Sequence, residues 1–323
     1  MIRAAPLLAL PDVMRELGAD LAPLAQAMGL SSRVFEDPEE PVAYQTLCAL
    51  LAACCRASAC PHLGLLVGQR SGLEALGALG YLVQNAPDVR TALDALIGHM
   101  DVHDRGAAPA LELHGDLALL RYDLYRPDAE GSGPVSDAAM AIGYNAMRRL
   151  CGPTWKPLEV HLRHAPPANV RPWRQFFQVP VVFNAERTAL VFRRHWLAAR
   201  VPDADAQLHR HFEAYVASLE QRLHSSWEDK VFAAIQRLVM ENRCSLQELA
   251  HALAMHPRAL ERRLKEGGTC FRALQNQARH ALARELLRDA TGDVGTIAAH
   301  LGYGSASAFV RAFSRLEGTP PAT

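Results

Sequence analysis

The chain has 323 residues, half of them hydrophobic, which is enough for roughly two or three domains with cores of their own. Its 34 basic and 34 acidic side chains cancel, which excludes a protein that binds a polyanion through overall charge alone. The seven cysteines form no Cys-x-x-Cys pair, which favours reduced thiols in a cytoplasmic protein over disulfides or a structural zinc site.

The N-terminus carries only a short apolar run, and Pro11-Asp12 interrupts it before Arg15 and Glu16. We therefore expect no export signal. No stretch approaches about eighteen unbroken apolar residues, so we also expect no membrane span. Both features agree with a cytoplasmic location.

The first two-thirds of the chain predict a mixture of helices and strands. Apolar residues at helical spacing alternate with short segments of period two, and a tight turn at His114-Gly115-Asp116 joins two of the strands. The predicted helices are 41–58, 73–84, 88–100, 135–150, 170–177 and 203–223, and the predicted strands are 110–113, 117–125, 158–163 and 190–193. This order predicts an α+β domain over residues 1–222.

From Trp227 onward the pattern is helical, which predicts an all-α domain over residues 223–323. The predicted helices are 227–241, 245–253, 256–266, 270–288, 294–300 and 305–316, with a seventh fragment beyond. Turns are expected at Asn242-Arg243, Gly267-Gly268, Thr291-Gly292 and Gly302. Residues 1–222 carry 21 basic and 24 acidic side chains, and the remainder carries 13 and 10, so the excess of positive charge lies in the second domain.

Residues 244–268, CSLQELAHALAMHPRALERRLKEGG, predict two short helices joined by a tight turn. Ser245 with Glu248 three residues later indicates a capping box for the first helix. Pro257 suits the first turn of the second helix, where its missing N–H costs little. The side chains predicted to pack the two helices together are Leu246, Leu249, Ala250, Leu253, Leu260 and Leu264. Such a pair, with a basic outer face on the second helix, is typical of a helix-turn-helix unit that enters the DNA major groove.

Residues 293–316, DVGTIAAHLGYGSASAFVRAFSRL, repeat this plan about fifty residues later. Gly302 closes a first short helix, and Ser305 caps a second. The side chains predicted to be buried are Ile297, Ala298, Leu301, Phe309, Ala312 and Phe313. The long helix over 270–288 lies between the two units, so the sequence predicts two helix-turn-helix units in one domain.

The segment LGYGSASAFVRAFSRLEGTPP resembles the C-terminal signature of the AraC/XylS family of transcription regulators. The segment SLQELAHALAMHPRALERRLKEGGTCFRALQNQARHALARELL resembles the first half of the same domain. The resemblance implies that the two units sit in successive major grooves on one face of the DNA and cover about two helical turns per protomer. Residues 14–200 resemble the arabinose-binding-like domain of one branch of the family, which implies that this part senses a small-molecule effector.

Three positions depart from the family pattern. His256 stands where a Ser or Thr cap is usual, and Leu316 stands where a Trp commonly ends the second recognition helix. Gly295 weakens its helix by up to about 1 kcal/mol relative to alanine. These departures concern the strength of the DNA contact rather than the family pattern itself.

The outer face of the first recognition helix carries the main candidates for DNA contact. Arg258 and Arg262 can each bond guanine O6 and N7 together, although the alternative is a solvated basic face. Glu261 matches a family base-contact position, where it can accept from a cytosine amino group or hold the arginines in place. Lys265 suits a phosphate contact, which adds affinity but no sequence information.

The second unit offers Ser305, Ser307 and Arg311. Arg311 either contacts DNA or forms an internal ion pair that fixes the unit. The two serines suit phosphate or base-edge contacts, and Ser305 can also serve as a helix cap.

His99 and His103 lie four residues apart, close to Asp101 and Asp104. They can form a metal pair on one helix, or they can be polar groups at a frayed helix end. Because the sequence places no third ligand, we expect no metal and no cofactor and take the two histidines as candidates for binding an effector. Aromatic residues that either line a pocket or form core are Tyr81, Trp155, Trp173, Phe176 and Phe177.

The sequence therefore predicts a cytoplasmic DNA-binding regulator and not an enzyme, since it contains no nucleophile elbow, P-loop or Gly-x-Gly-x-x-Gly after a strand. The expected partners are double-stranded promoter DNA, a small-molecule effector, a second copy of the chain and RNA polymerase. Activation is expected because it is the commoner outcome in the family. Three alternatives stay open: a metal sensor, a regulator controlled by a partner protein without a metabolite, and an enzymatic N-terminal domain fused to a DNA-binding module.

Overall fold

The computed structural model describes residues 1–125, 127, 129–223, 227–240, 243–253, 255–288, 294–301, 303 and 305–317. The chain divides into two compact units, Met1–Glu220 and Gln221–Thr323. The predicted turns at Asn242, Thr291-Gly292 and Gly302 and the fragment predicted beyond the last helix lie outside the described residues. Within the described ranges, every helix is too short or too polar to cross a bilayer.

The first unit mixes helices and strands, which confirms the predicted α+β class. Its strands are β1 (Ile2–Arg3), β2 (Pro41–Val42), β3 (Ala107–His114), β4 (Leu117–Leu124), β5 (Glu159–His161), β6 (Val181–Val182) and β7 (Ala189–Arg193). The helices that begin in it are α1 (Leu10–Glu16), α2 (Ala22–Ala27), α3 (Tyr44–Ala57), α4 (Leu63–Gln69), α5 (Ala78–Gln84), α6 (Val89–Gly98), α7 (Ser132–Cys151), α8 (Arg171–Phe177) and α9 (Ala206–Leu223).

Five strands form one sheet in the order β3-β4-β7-β5-β6. Neighbouring strands are antiparallel except β5 and β6. The hairpin between β3 and β4 turns at Gly115, whose φ of 59° is left-handed and suits a residue without a Cβ. β7 lies at the centre of the sheet with its first four residues buried, and α7 packs against β4 and β7. The sheet and α7 therefore form the two main layers of this unit.

Three predicted elements differ from the structure. The predicted helix over 41–58 begins only at Tyr44, because Pro41–Val42 pairs with β1 as a strand. The predicted helix over 73–84 is a 3-10 turn, Leu73–Leu76, followed by α5, and Gly77 separates them with a φ of 57°. The predicted helix over 88–100 is α6, which ends two residues earlier at Gly98, and the Asp88 side chain caps its start by accepting from the Thr91 N–H at 2.8 Å.

Two hydrophobic clusters stabilise the first unit. The N-terminal cluster joins the first strands and helices, and the sheet cluster joins the five-stranded sheet to α5, α6, α7 and α8. Buried members of the N-terminal cluster include Ile2, Leu7, Leu10, Leu47, Leu51 and Val67. Buried members of the sheet cluster include Leu96, Leu120, Met140, Trp155, Trp173, Phe177 and Leu190. Most of the predicted aromatic residues are therefore core, whereas Tyr81 is half exposed and stacks on Phe212 at 4.9 Å.

A buried carboxylate ties α7 to the segment after β5. Asp137 is 1% exposed and accepts hydrogen bonds from His164 Nε2 at 2.9 Å and from Trp173 Nε1 at 2.8 Å. The Nδ1 of His164 faces the Ala165 carbonyl at 3.1 Å, so the doubly protonated imidazolium satisfies both acceptors. Burial lowers the pKa of His164, but the hydrogen bond and charge of Asp137 raise it by more. The resulting pKa lies above 6.5.

This pair predicts a pH-dependent stability. Because the folded-state pKa of His164 lies above its unfolded value, its contribution is complete below pH 6.5 and is lost as the pH rises through the raised pKa. We expect the wild type to lose free energy of unfolding across this range relative to His164→Gln, which keeps a donor but does not titrate. Denaturant titrations at stepped pH values measure the difference. A constant difference between the two proteins from pH 6.5 upward would contradict the prediction.

Among the described residues of the second unit, the only regular elements are helices. Its helices are α10 (Trp227–Met240), α11 (Leu246–Ala252), α12 (Pro257–Glu266), α13 (Phe271–Arg288), α14 (Val294–His300) and α15 (Ala306–Glu317). One hydrophobic cluster contains buried side chains from all six, among them Ile235, Leu249, Leu260, Leu282, Ile297 and Phe309. The predicted all-α fold with two helix-turn-helix units is confirmed.

Candidate nucleic-acid interface and interior cavity

The start of α11 is fixed by Ser245, as predicted. The Ser245 hydroxyl accepts from the Glu248 N–H at 3.1 Å. The predicted capping box is only half formed, however, because the Glu248 carboxylate accepts from the Arg243 guanidinium at 2.8 Å. An ion pair with a nearby arginine has replaced the return bond from Glu248 to the Ser245 backbone.

His256 performs the capping role that a Ser or Thr would otherwise have. It lies in an extended conformation before α12, and its Nδ1 accepts from the Arg258 N–H at 3.3 Å. Pro257 follows at the first helical position, where no N–H is needed. The recognition helix therefore begins at the residue that the sequence indicates, with an imidazole as its cap.

The four candidate residues of α12 share one exposed face. Leu260 and Leu264 are buried at 0% and 1% exposure, which fixes the orientation of the helix. At about 100° per residue, the opposite side presents Arg258, Glu261, Arg262 and Lys265, all of which are exposed. We call these four residues the α12 face. It exposes three positively charged side chains and one carboxylate to the solvent.

Arg263 belongs to the same helix but not to this face. Its guanidinium lies over the Trp227 ring of α10, with its central carbon 4.5 Å from the ring centre. Sequence periodicity gave no signal for this contact, because the two residues lie far apart in the chain. Arg263 thus stabilises the unit, whereas the neighbouring arginines point outward.

The second helix-turn-helix unit repeats this geometry on α15. Phe309 and Phe313 are buried at 1% and 9% exposure, with their ring centres 5.7 Å apart. Ser305, Ser307 and Arg311 are exposed. The Ser305 hydroxyl accepts from the Ala308 N–H at 3.2 Å, so Ser305 is a helix cap. Ser307 and Arg311 occupy the positions on α15 that Arg258 and Arg262 occupy on α12.

The long helix α13 supports the second helix-turn-helix unit through polar and aromatic contacts. Arg279 lies over the Tyr303 ring at 5.2 Å, and the His280 ring lies 5.4 Å from that of Phe313. Tyr303 in turn meets Phe309 edge-on at 5.5 Å. The buried side of α15 therefore rests on α13, which leaves its serine and arginine side free.

The Ser245 cap leads to a direct prediction. Replacing Ser245 by alanine leaves the Glu248 N–H without its acceptor and should lower the free energy of unfolding by about 1 kcal/mol. Ser245→Asp, which retains a capping oxygen, should restore most of the loss. Urea titration of the three proteins measures both effects, and equal stability of Ser245→Ala and the wild type would rule out the cap.

The first unit contains a cavity of about 110 Å³. It lies where the N-terminal cluster and the sheet cluster meet, and its walls are mostly aliphatic. The polar residues that line it are His103, Asp104, Arg121 and Tyr122. A mostly apolar lining with a few grouped polar residues is typical of a small-molecule site.

The two candidate histidines are separated rather than paired. α6 ends at Gly98, and the His99 Nδ1 lies 2.6 Å from the Glu220 Oε1, a hydrogen bond that raises the pKa of His99. His103 follows a 3-10 turn, Met100–Val102, and is buried beside the cavity. The two histidines therefore do not lie on one helix, as the metal-pair alternative required. Among the described residues, no group of three or more His, Cys, Asp or Glu side chains is placed to hold a metal.

Two helix-turn-helix units after an α+β unit with an interior cavity define a DNA-binding transcription regulator. Residues 18–201 match the model of the arabinose-binding N-terminal domain of the AraC transcription regulator, and residues 249–323 match that of a helix-turn-helix domain. The chain belongs to the AraC family of transcription regulators. Membership makes it a regulator and not an enzyme.

Several transcription regulators match this chain along almost its whole length. The HTH-type transcriptional regulator VirS of Mycobacterium tuberculosis is 28% identical, over 99% of this chain and 95% of its own length. The ornithine utilization regulator of Pseudomonas aeruginosa is 25% identical, over 97% and 93%. The crystal structure of the transcriptional regulator CdpR from Pseudomonas aeruginosa matches 93% of this chain and 95% of that one, with 23% identity and a TM-score of 0.48.

Proposed function

We propose that residues 223–323 bind promoter DNA through the α12 face and through Ser305, Ser307 and Arg311 of the second unit. The main support is that Arg258 and Arg262 on α12 occupy the same exposed helix positions as Ser307 and Arg311 on α15. Arg258 and Arg262 read base edges, Glu261 accepts from cytosine or orients the arginines, and Lys265 binds phosphate. Ser305 caps α15 and adds a phosphate contact.

Residues 1–222 form the sensing and dimerisation domain in this proposal. A small-molecule effector binds in the cavity, where His103 is one of the polar contacts, and His99 supports the site from the neighbouring turn. The effector changes DNA binding only if it binds one state of the protein more tightly than the other. The protein acts as a homodimer, because two half-sites raise specificity for a promoter.

The proposed outcome is activation of transcription in the cytoplasm, where RNA polymerase and the promoter are found. Activation is supported by the family to which the chain belongs. The polymerase is therefore the expected partner of the DNA-bound protein.

A footprint of the purified full-length protein on the DNA flanking its own gene tests the proposal. We expect protection of about two helical turns per protomer, weakened by salt because phosphate contacts release counterions. If that DNA is not protected, selection from random sequences identifies a site located elsewhere. Absence of any selected sequence, with and without candidate effectors, would overturn the proposed DNA contacts.

A further inference from the structure

The cavity of the first unit lies on the face of the sheet that α7 covers. Because side chains alternate along a strand, Leu120 and Tyr122 of β4 point to one face, and Leu190, which pairs with Leu120, points the same way. All three residues line the cavity, together with alanines of α7. Arg121 points to the opposite face, where its guanidinium pairs with two carboxylates of that face. Its positive charge therefore lies outside the cavity.

Asp104 is the remaining charged residue among the described residues of the lining. It is 2% exposed, and its carboxylate accepts from the Tyr122 hydroxyl at 2.5 Å and from the Gly106 N–H at 2.7 Å. Since the Tyr122 side chain lies on the cavity face, the first bond places the carboxylate on the same side of the sheet as the cavity. Within the described ranges, no lysine, arginine or histidine nitrogen pairs with it. The cavity wall therefore contains a hydrogen-bonded carboxylate without an ion-pair partner.

The groups around Asp104 leave this negative charge without a buried counter-charge. Burial raises the pKa of Asp104 to about 6, so at neutral pH the carboxylate is mostly ionised. Burial, with the charge of a nearby arginine, lowers the pKa of His103 to about 4, so this imidazole is neutral. Burial also holds the pKa values of Tyr122 and Tyr44 well above their usual range. The N-terminal ammonium lowers the pKa of Asp104, but Met1 is 54% exposed and does not line the cavity.

We propose that the cavity binds a small organic cation, a primary alkylammonium ion whose hydrocarbon chain lies against the aliphatic walls and whose ammonium group pairs with Asp104. Folding has already removed this carboxylate from water, so the ligand supplies a counter-charge without further desolvation of the protein. The neutral imidazole of His103 can accept another N–H of the ammonium group. A carboxylate ligand would instead meet a like charge.

The size of the cavity limits the length of the alkyl chain. Its volume of about 110 Å³ is below that of the roughly 150 Å³ engineered cavity that holds benzene, so about five non-hydrogen atoms fit. Butylamine has this size. The inference rests on the proposed sensing function and names the chemical class of the effector.

Four-carbon probes test the chemistry in the full-length protein. Butylamine carries its proton at about pH 7.5, like a lysine side chain with its pKa of about 10.4, and should raise the Tm saturably. Butan-1-ol should bind at least about tenfold more weakly, and butanoate more weakly still. Tighter binding of butan-1-ol or butanoate than of butylamine would overturn this inference but leave the cavity as an effector site. No saturable shift with any probe would overturn both.

The pH dependence of butylamine binding identifies the counter-charge. Only the ionised carboxylate pairs with the ammonium group, so affinity should fall about tenfold from about pH 7.5 to about pH 5, across the Asp104 pKa of about 6. In this range His103 and the two tyrosines stay neutral, and Arg3, paired with Glu39, and the N-terminal ammonium stay charged. The ratio of butylamine to butan-1-ol affinity removes the effect of titrations elsewhere. A ratio that does not change with pH would contradict the ion pair.

Two pairs of variants locate the ligand. Asp104→Asn keeps the side-chain shape and an acceptor for the Gly106 N–H, so it should bring butylamine down to the affinity of butan-1-ol. Asp94→Asn, which removes a negative charge at an exposed position of α6, should preserve butylamine binding. Ala146→Leu fills the cavity from α7 and should abolish all shifts, whereas Ala57→Leu, at an exposed position of α3, should preserve them.

Each variant can contradict the assignment. Unchanged butylamine affinity in Asp104→Asn, or shifts that survive in Ala146→Leu, would overturn the proposed site. If Asp104→Asn does not fold, the pH series on the wild type decides between the ion pair and its absence. Loss of the footprint with intact butylamine binding would count against the proposed DNA contacts alone.

Discussion

Replacing Arg258 and Arg262 together by alanine should weaken specific DNA binding by about a hundredfold or more. Each base-contacting arginine contributes about 1–3 kcal/mol, and the two side chains lie on one exposed face of α12. The salt dependence should also become shallower for any contact that proves to be with phosphate, by about one unit of slope per contact. Titration of a labelled site at two salt concentrations measures both quantities.

Arg263→Ala is the matched control. It removes one positive charge from the same helix, but its guanidinium lies on Trp227 rather than on the α12 face. We expect a small loss of stability, about 0.5–1 kcal/mol, with DNA affinity close to wild type. If Arg262→Ala and Arg263→Ala weaken DNA binding equally, the loss reflects net charge, and the assignment of the α12 face fails.

The second large effect is expected in the core beneath α15. Phe309 is 1% exposed and contacts the rings of Tyr303 and Phe313. Phe309→Ala should lower the free energy of unfolding of this unit by about 3–5 kcal/mol, because it removes apolar area and leaves a cavity. That is a large share of the roughly 5–15 kcal/mol by which domains are stable.

Ser307→Ala separates stability from recognition on the same helix. Ser307 is exposed, so its loss should leave the unfolding free energy within about 0.5 kcal/mol of wild type while weakening DNA binding. Thermal unfolding and DNA titration of both variants measure the contrast. A stable Phe309→Ala protein would contradict the packing described for α15.

The helix-turn-helix units could be predicted because their signals are local. Leu260 and Leu264, and again Phe309 and Phe313, stand four residues apart and fix the buried side of each helix without knowledge of the rest of the fold. The Ser245 cap was predictable for the same reason. The partner of Glu248 was not, since Arg243 competes with the capping bond through a side-chain geometry that spacing does not determine.

The cavity could not be predicted, because its walls come from distant parts of the chain. Leu47, His103, Arg121 and Leu190 become neighbours only when the two hydrophobic clusters assemble. His103 was selected for its spacing from His99, yet a helix end between them sends the two side chains to different surroundings. The two-residue strands β1, β2 and β6 were also missed, since so short a segment shows no alternation.

The single hydrophobic cluster of the second unit also determines how DNA binding ends on heating. Leu260 beneath α12 and Phe309 beneath α15 belong to the same cluster, so neither recognition helix has a core of its own. The two helices therefore form one cooperative folding unit. On warming, we expect both recognition helices to unfold and lose DNA binding in one transition, without an intermediate in which only one of them binds. A promoter under its control would then respond to temperature as a switch rather than in graded steps.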